Sequence, residues 1–294
     1  MKKKIVSISS ICVFFLTLIV LATMFDLSIS KSLAGVNNLD IIVLIGSYGK
    51  LPAYLGLVCG FMLIYGGLND RLHNTIFLLV VKVTNIICII ISMFLLLDYL
   101  LPYFVIINII VSLVCGIGMV GLIEKYKTHI RHLFYFGLLI VGTVVLSAVI
   151  IEALKLIMCR VRFYVLHNAN DYAGFTPWFE CMFNTDIRTP EYLLSHGINS
   201  ASWWGMDEFM SFPSGHAGMV STILLLNFLP NYIEKLKKYK WLILVLTILV
   251  TIFVCFSRVL ALMHYMSDVV FGVIITVFAM VIVNFVVNLI KKRL

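Results

Sequence analysis

The sequence predicts an all-α, polytopic helical membrane protein, and three observations carry that prediction. Hydrophobic residues make up 62% of the 294 positions and charged residues only 12%, where a soluble domain is about one-quarter charged. The mean hydropathy is +1.08. The apolar residues also gather in blocks long enough to cross a hydrocarbon layer of about 30 Å.

About eight transmembrane helices are expected: near 5–25, 51–66, 76–97, 103–123, 133–154, 213–229, 241–257 and 267–290. The first follows a basic start, "MKKK", as a signal peptide would, but no small-residue cleavage site follows it, so it reads as an uncleaved span. The second is short and contains glycine. The third carries Lys82 near enough to one end to snorkel.

Orientation follows from the loops. With the N-terminus inside, "KKK" at 2–4, "LNDRLHN", "EKYKTHIRH", "EKLKKYK" and the terminal "KKRL" all fall on the cytoplasmic side. An odd number of spans would break that pattern. Both termini are therefore expected in the cytoplasm, in a cytoplasmic membrane. The net charge of +8 is spread over these clusters, which excludes a nucleic-acid surface. The cysteines mostly lie inside apolar spans as packing residues. Cys159 and Cys181 are the two near the outer surface, where a bridge is possible.

Lys155, Arg160, Arg162 and Arg258 defy the positive-inside bias, since they fall on the outer face. Three patterns there carry chemistry. In "KLIMCRVRF", Lys155 and Arg162 are seven apart and point the same way along a helix, with Arg160 turned away. In "FPSGH", Pro213 suits a first helical position, and Ser214 and Gly215 follow where backbone N–H groups have no helical partner, an anion-binding end. His216 comes next. In "SRVLALMHYMSD", His264 and Asp268 share one helix face, so the carboxylate can accept the proton of one imidazole nitrogen and leave the other as a nucleophile. Arg258 adds a planar fork suited to phosphate oxygens. Each pattern also has a plain structural reading: a basic helix end offsetting its dipole, ordinary capping, or a buried polar pair between spans. Taken together the inventory suits phosphoryl transfer, which needs positioning and charge stabilisation. The histidines are scattered and the loop carboxylates Asp171, Glu180, Asp186, Glu191, Asp207 and Glu208 lack metal-ligand spacing, so no metal and no cofactor is expected.

In these residues the chain resembles the type 2 phosphatidic acid phosphatases, whose signature is K-x6-R-P, P-S-G-H and S-R-x5-H-x3-D. The match runs from Lys155 to Arg162, through Pro213 to His216, and from Ser257 and Arg258 to Asp268, over roughly 150–275. Phe163 stands where the family has proline. The family's usual core has six spans, with the first motif after span three, whereas here it follows span five. The expected architecture is thus a six-helix phosphatase core plus an extra hairpin that spans three and four would form. It divides into an N-terminal transmembrane region, 1–132, that contains the hairpin and a catalytic transmembrane core, 133–294, that carries the three motifs.

The resemblance implies roles. His264 attacks phosphorus, Asp268 orients it, and His216 protonates the leaving oxygen and then helps activate water. Lys155, Arg162, Ser214, Gly215 and Arg258 hold the phosphoryl oxygens. The substrate would be a lipid phosphate or diphosphate of the undecaprenyl diphosphate, phosphatidylglycerol phosphate or phosphatidate class, met at the outer membrane face. Alternatives are transfer of the phosphoryl group to a lipid or sugar acceptor, and an anion transporter or binding protein. Trp178, Trp203 and Trp204 suit an interfacial cap or a simple aromatic belt. The acidic excess of the long outer segment at about 155–212 and the oligomeric state have no reading from sequence.

Overall fold

The computed structural model describes residues 2–34, 40–72, 74–181 and 205–293, and the described residues contain helices and turns but no strand. The α-helices are α1 (Lys2–Leu33), α2 (Asp40–Ser47), α3 (Leu51–Gly67), α4 (Thr75–Leu100), α5 (Val105–Ile130), α6 (Phe134–Met158), α7 (Phe163–Asn168), α8 (Gly215–Ser221), α9 (Lys240–Leu260) and α10 (Met266–Arg293).

Among the described residues, six segments are long and apolar enough to cross a membrane, which makes this an integral membrane protein. Two features separate that count from the expected eight. The 64-residue segment Val105–Asn168 contains both α5 and α6, joined by the 3-10 turn Arg131–Leu133. The expected span at 213–229 is the seven-residue α8 running into a 3-10 stretch, Thr222–Asn231. There Thr222 Oγ1 donates to the Met219 carbonyl at 2.6 Å and Asn227 Nδ2 to the Leu224 carbonyl at 2.9 Å.

The chain forms two compact units, each built from three stretches: 1–49, 148–218 and 251–275 in one, and 50–147, 219–250 and 276–294 in the other. The second unit is an apolar packing of α3, α4 and α5 with parts of α6 and α10. Its largest buried group joins Ala53, Phe136, Leu139, Ile140, Val144, Leu225 and Met280. At Gly60 and Gly137 the backbones of α3 and α6 nearly touch: a Cβ on Gly137 would stand 2.7 Å from the Gly60 carbonyl oxygen. Such small-residue crossings are how helices associate where no water drives them together.

The expected hairpin at spans three and four is α4 and α5. Asn74 caps α4 by accepting from the Phe77 N–H at 2.9 Å. Asn108 Nδ2 closes the hairpin turn on the Leu101 carbonyl at 2.8 Å. Ile106, Ile110, Val114 and Ile117 of α5 are exposed, as a lipid-facing stripe would be. Tyr65, Lys82 and Lys127 converge on Glu124, with Tyr65 Oη donating at 3.1 Å and the two lysines at 3.5 and 3.0 Å.

Candidate active site

The first unit holds all three motifs. Two of its helices stop in the same way just where the unusual cations sit. α6 ends at Met158, and Cys159 takes the left-handed conformation (φ 45°), its N–H bonding the Lys155 carbonyl at 3.0 Å. α9 ends at Leu260, and Leu262 just beyond it takes φ 57°, where Met263 N–H reaches the Arg258 carbonyl at 3.3 Å and Leu262 N–H the Val259 carbonyl at 3.0 Å. The second pattern is a Schellman motif without its usual glycine. Lys155 and Arg258 therefore occupy equivalent positions near helix C-termini, where cations offset the dipole.

Arg160 is the centre of the site's buried frame. It is 2% exposed, and its Nε donates to the Thr176 carbonyl at 3.0 Å. Its Nη1 donates to Asp268 Oδ1 at 2.6 Å and Ser267 Oγ at 2.8 Å, and Nη2 to Asp26 Oδ2 at 3.0 Å. The guanidinium lies over the Tyr265 ring, 4.1 Å from its centroid. Asp26, from α1, also accepts the Ser267 N–H at 2.8 Å and the Ser267 hydroxyl. A buried charge needs such partners, because burying it unpaired costs several kcal/mol.

Asp268 is the third residue of α10 and reaches back to the Tyr265 N–H at 2.9 Å, half of a capping box. Its Oδ2 also accepts from the Ser211 hydroxyl at 2.5 Å. The histidine it was expected to orient is held otherwise. His264 Nδ1 lies 2.8 Å from the Ser211 carbonyl oxygen and 3.7 Å from Asp268 Oδ2. A carbonyl only accepts, so Nδ1 carries the proton and Nε2 keeps its lone pair. The carboxylate sits beside that bond as a charge and not as its acceptor. Burial, with the neighbouring Arg162 and Arg258 charges, outweighs Asp268 and pushes the His264 imidazole down to about 4, so the ring is neutral.

The first turn of α8 is fastened to α10. Ser214 N–H donates to the Asp268 carbonyl at 2.9 Å, and a Cβ on Gly272 would stand 2.5 Å from the Ser214 carbonyl oxygen. Gly272 is there because backbone must pass. Ser214 is fully buried and its hydroxyl faces the Ala217 N–H at 3.4 Å, a capping contact. Lys155 Nζ lies 3.1 Å from the place a Gly215 Cβ would take and bonds Glu152 at 2.9 Å. His216 is half-buried, its ring Cδ2 3.4 Å from where a Cβ on Gly49 would lie. Gly46, one turn earlier on α2, lies against Ser257 and, with a Cβ, would stand 3.6 Å from Arg258 Cδ.

Arg162 N-caps α7, its N–H donating to the Glu208 carbonyl at 2.8 Å, and its side chain holds Asp207. Phe163 is then the first residue of α7. Proline is favoured at that position because its N–H has no helical partner there, so a phenylalanine loses no bond. Phe163 instead is fully buried, stacks on His167 at 5.7 Å and Tyr172 at 5.9 Å, and meets the Tyr265 ring edge-on at 5.9 Å. The turn that proline would shape is fixed here by aromatic packing.

The structure thus draws His264 and Asp268 into one network with Ser214, and brings Lys155 to Gly215 and Arg162 to Met263. Sequence reasoning missed Asp26, Ser211 and Ser267, and set Arg160 aside. The signal for Asp26 was present: a lone carboxylate within the apolar "LATMFDLSIS" has to be paired or functional. Ser211 meets Asp268 through its hydroxyl and His264 through its carbonyl, and the carbonyl is a contact that no residue type announces. Trp178 packs within the unit, stacked on Phe212 and donating to Thr23 Oγ1 at 2.8 Å. Asp186, Glu191, Trp203 and Trp204 lie outside the described residues. Cys159 and Cys181 are free thiols and form no bridge.

The family model of the PAP2 superfamily matches residues 136–292, just over half of the chain. The chain belongs to the PAP2 superfamily. No curated protein and no solved structure matches it. The superfamily match covers all three motifs but begins well after Asp26, so the buried frame draws on a helix that the match does not include. Membership supports phosphatase or phosphoryl-transfer activity on lipid-like substrates.

Proposed function

We propose that the protein hydrolyses a lipid phosphomonoester or diphosphate through a phosphohistidine, with the site at the outer face of a cytoplasmic membrane and both termini inside. The observation that carries the reading is the His264 bond to the Ser211 carbonyl, which uses Nδ1–H and leaves Nε2 as the nitrogen that can attack. Nε2 attacks phosphorus, the phosphorus–oxygen bond to the lipid breaks, and His216 gives its proton to the leaving oxygen. His216 then takes a proton from water as that water attacks phosphorus. The phosphorus–nitrogen bond breaks and inorganic phosphate departs. Lys155, Arg162 and Arg258, with Ser214 and Gly215, stabilise the charge on the transferring group, and Asp268 favours the transient positive charge on His264. These steps use only groups of this chain and need no metal.

Undecaprenyl diphosphate, phosphatidylglycerol phosphate and phosphatidate are the substrate classes to assay. Phosphate release from at least one of them is expected with wild type and loss of about a thousandfold or more with His264→Ala. Turnover that survives His264→Ala sinks the nucleophile assignment. No phosphate release without an acceptor, with the phosphoryl group instead appearing on an added lipid or sugar, would make the protein a transferase.

A further inference from the structure

The Arg162 fork already carries a carboxylate. Its Nε donates to the Asp207 carbonyl and its Nη2 to Asp207 Oδ1, both at 2.6 Å, while Nη1 faces the Met263 sulfur at 3.8 Å. The pair is lopsided, with the Arg162 side chain 8% exposed and that of Asp207 73% exposed. A cation held so far from water needs a counter-charge. A carboxylate on the water side loses little when it lets go. Lys155 and Glu152 repeat the asymmetry at 9% and 59%.

The turn that bears Asp207, Gly205–Phe209, is tied down independently of that carboxylate. Arg162 N–H bonds the Glu208 carbonyl, and Met210 N–H bonds the Asp207 carbonyl at 3.1 Å. Rotation of the Asp207 side chain is enough to free Nη2, while Nε keeps its bond to the Asp207 carbonyl.

We propose that Asp207 is a specificity-determining residue: its carboxylate is a resident counter-ion of Arg162 that a terminal phosphate displaces and a phosphodiester headgroup does not. The proposal rests on the reading of Arg162 as a phosphate ligand. A terminal phosphate carries about −1.5 to −2 charges, so exchanging it for a carboxylate gains Coulomb energy. A diester carries a single charge, and the exchange gains nothing while it still costs the ordering of the incoming group. A membrane surface is crowded with phosphodiester lipids that would otherwise occupy a cation cluster at headgroup depth. Asp207 acts against that wrong partner, and discrimination of this kind commonly needs a repulsive element. It also gives one residue of the acidic 155–212 segment a role.

The test compares two small probes on the full-length protein in neutral detergent: ethyl phosphate, a monoester dianion, and diethyl phosphate, a diester monoanion, each titrated by phosphorus NMR at pH 8. In Asp207→Asn the dissociation constant for diethyl phosphate is expected to fall about three- to tenfold, and that for ethyl phosphate by at least as much because it displaces the same carboxylate, so the diester gains binding that the wild type denies it. Asp207→Ser should give the same change, and adding Arg162→Gln should abolish it. Diester binding that is unchanged or weaker in both Asp207 variants overturns the proposal, because Asp207 would then only prop Arg162. Failure of ethyl phosphate to bind wild type overturns it too. If the probes behave as expected but no lipid releases phosphate, the hydrolase reading falls and the assignment of Asp207 stands.

Discussion

The two compact units solve the problem of polar groups in an apolar setting in opposite ways. In the unit built from 50–147, 219–250 and 276–294, the buried polar side chains are neutral: Asn85, Ser92, Asn108, Ser112, Thr143, Ser147 and a few more threonines and serines. Several of these hydroxyls bond back to their own helix, as Ser92 does to the Cys88 carbonyl at 2.7 Å. In the other unit Asp26, Lys155, Arg160, Arg162, Arg258 and Asp268 are all buried. The lesson is one of cost. A serine is inexpensive to bury, whereas a guanidinium is tolerated only with carboxylates set against it, and a chain keeps that arrangement where charge has work to do.

The largest expected effect that would sharpen this contrast is at Asp26. Asp26→Asn leaves Arg160 with one carboxylate and is expected to cost about 3 kcal/mol of stability. Read as activity, it should lower kcat with KM little changed, because Arg160 and Ser267 set the start of α10 and do not touch the expected phosphate. A rise in KM alone would contradict that placement.

The next effect is on pH. The His264 ring has its pKa near 4 in the fold against 6.5 when unperturbed. Between those values the unfolded chain binds the extra proton, so stability contributed by the neutral ring is full above pH 6.5 and is lost as pH falls toward 4. Melting of the wild type should therefore worsen by about 2 kcal/mol between pH 6.5 and 5 relative to His264→Gln. Equal slopes for the two proteins would show that the ring is not held neutral.

The smallest effect is the control in the other unit. Lys82→Met removes one of the three groups around Glu124, a cluster whose Lys82 and Glu124 side chains are 20% and 39% exposed. It is expected to change stability by about 1 kcal/mol or less. A loss as large as that for Asp26→Asn would erase the difference between the units.

The membrane class, most span positions and the hairpin at α4 and α5 were legible in the sequence, because apolar length is a property of the chain itself. The three motifs were legible as residue types at fixed spacing. What remained hidden depends on where other elements pass. Arg160 follows α6, in the four residues after Met158 that lie outside any helix, so a helical projection from Lys155 aims it the wrong way. The acceptor for His264 is a backbone carbonyl 53 residues away. Phe163 looked like a lost proline until it proved to be the first residue of α7, where a proline's missing N–H would have cost no helical bond.

The central claim is that His264 becomes phosphorylated during turnover. It is tested by rapid quench of the wild type with a lipid substrate labelled in its terminal phosphate, followed by mapping of the protein-bound label. The account predicts an acid-labile, base-stable label on His264 that appears before free phosphate and is absent in His264→Ala. Full-rate phosphate release with no protein-bound label at any time, or label on another residue, would contradict it.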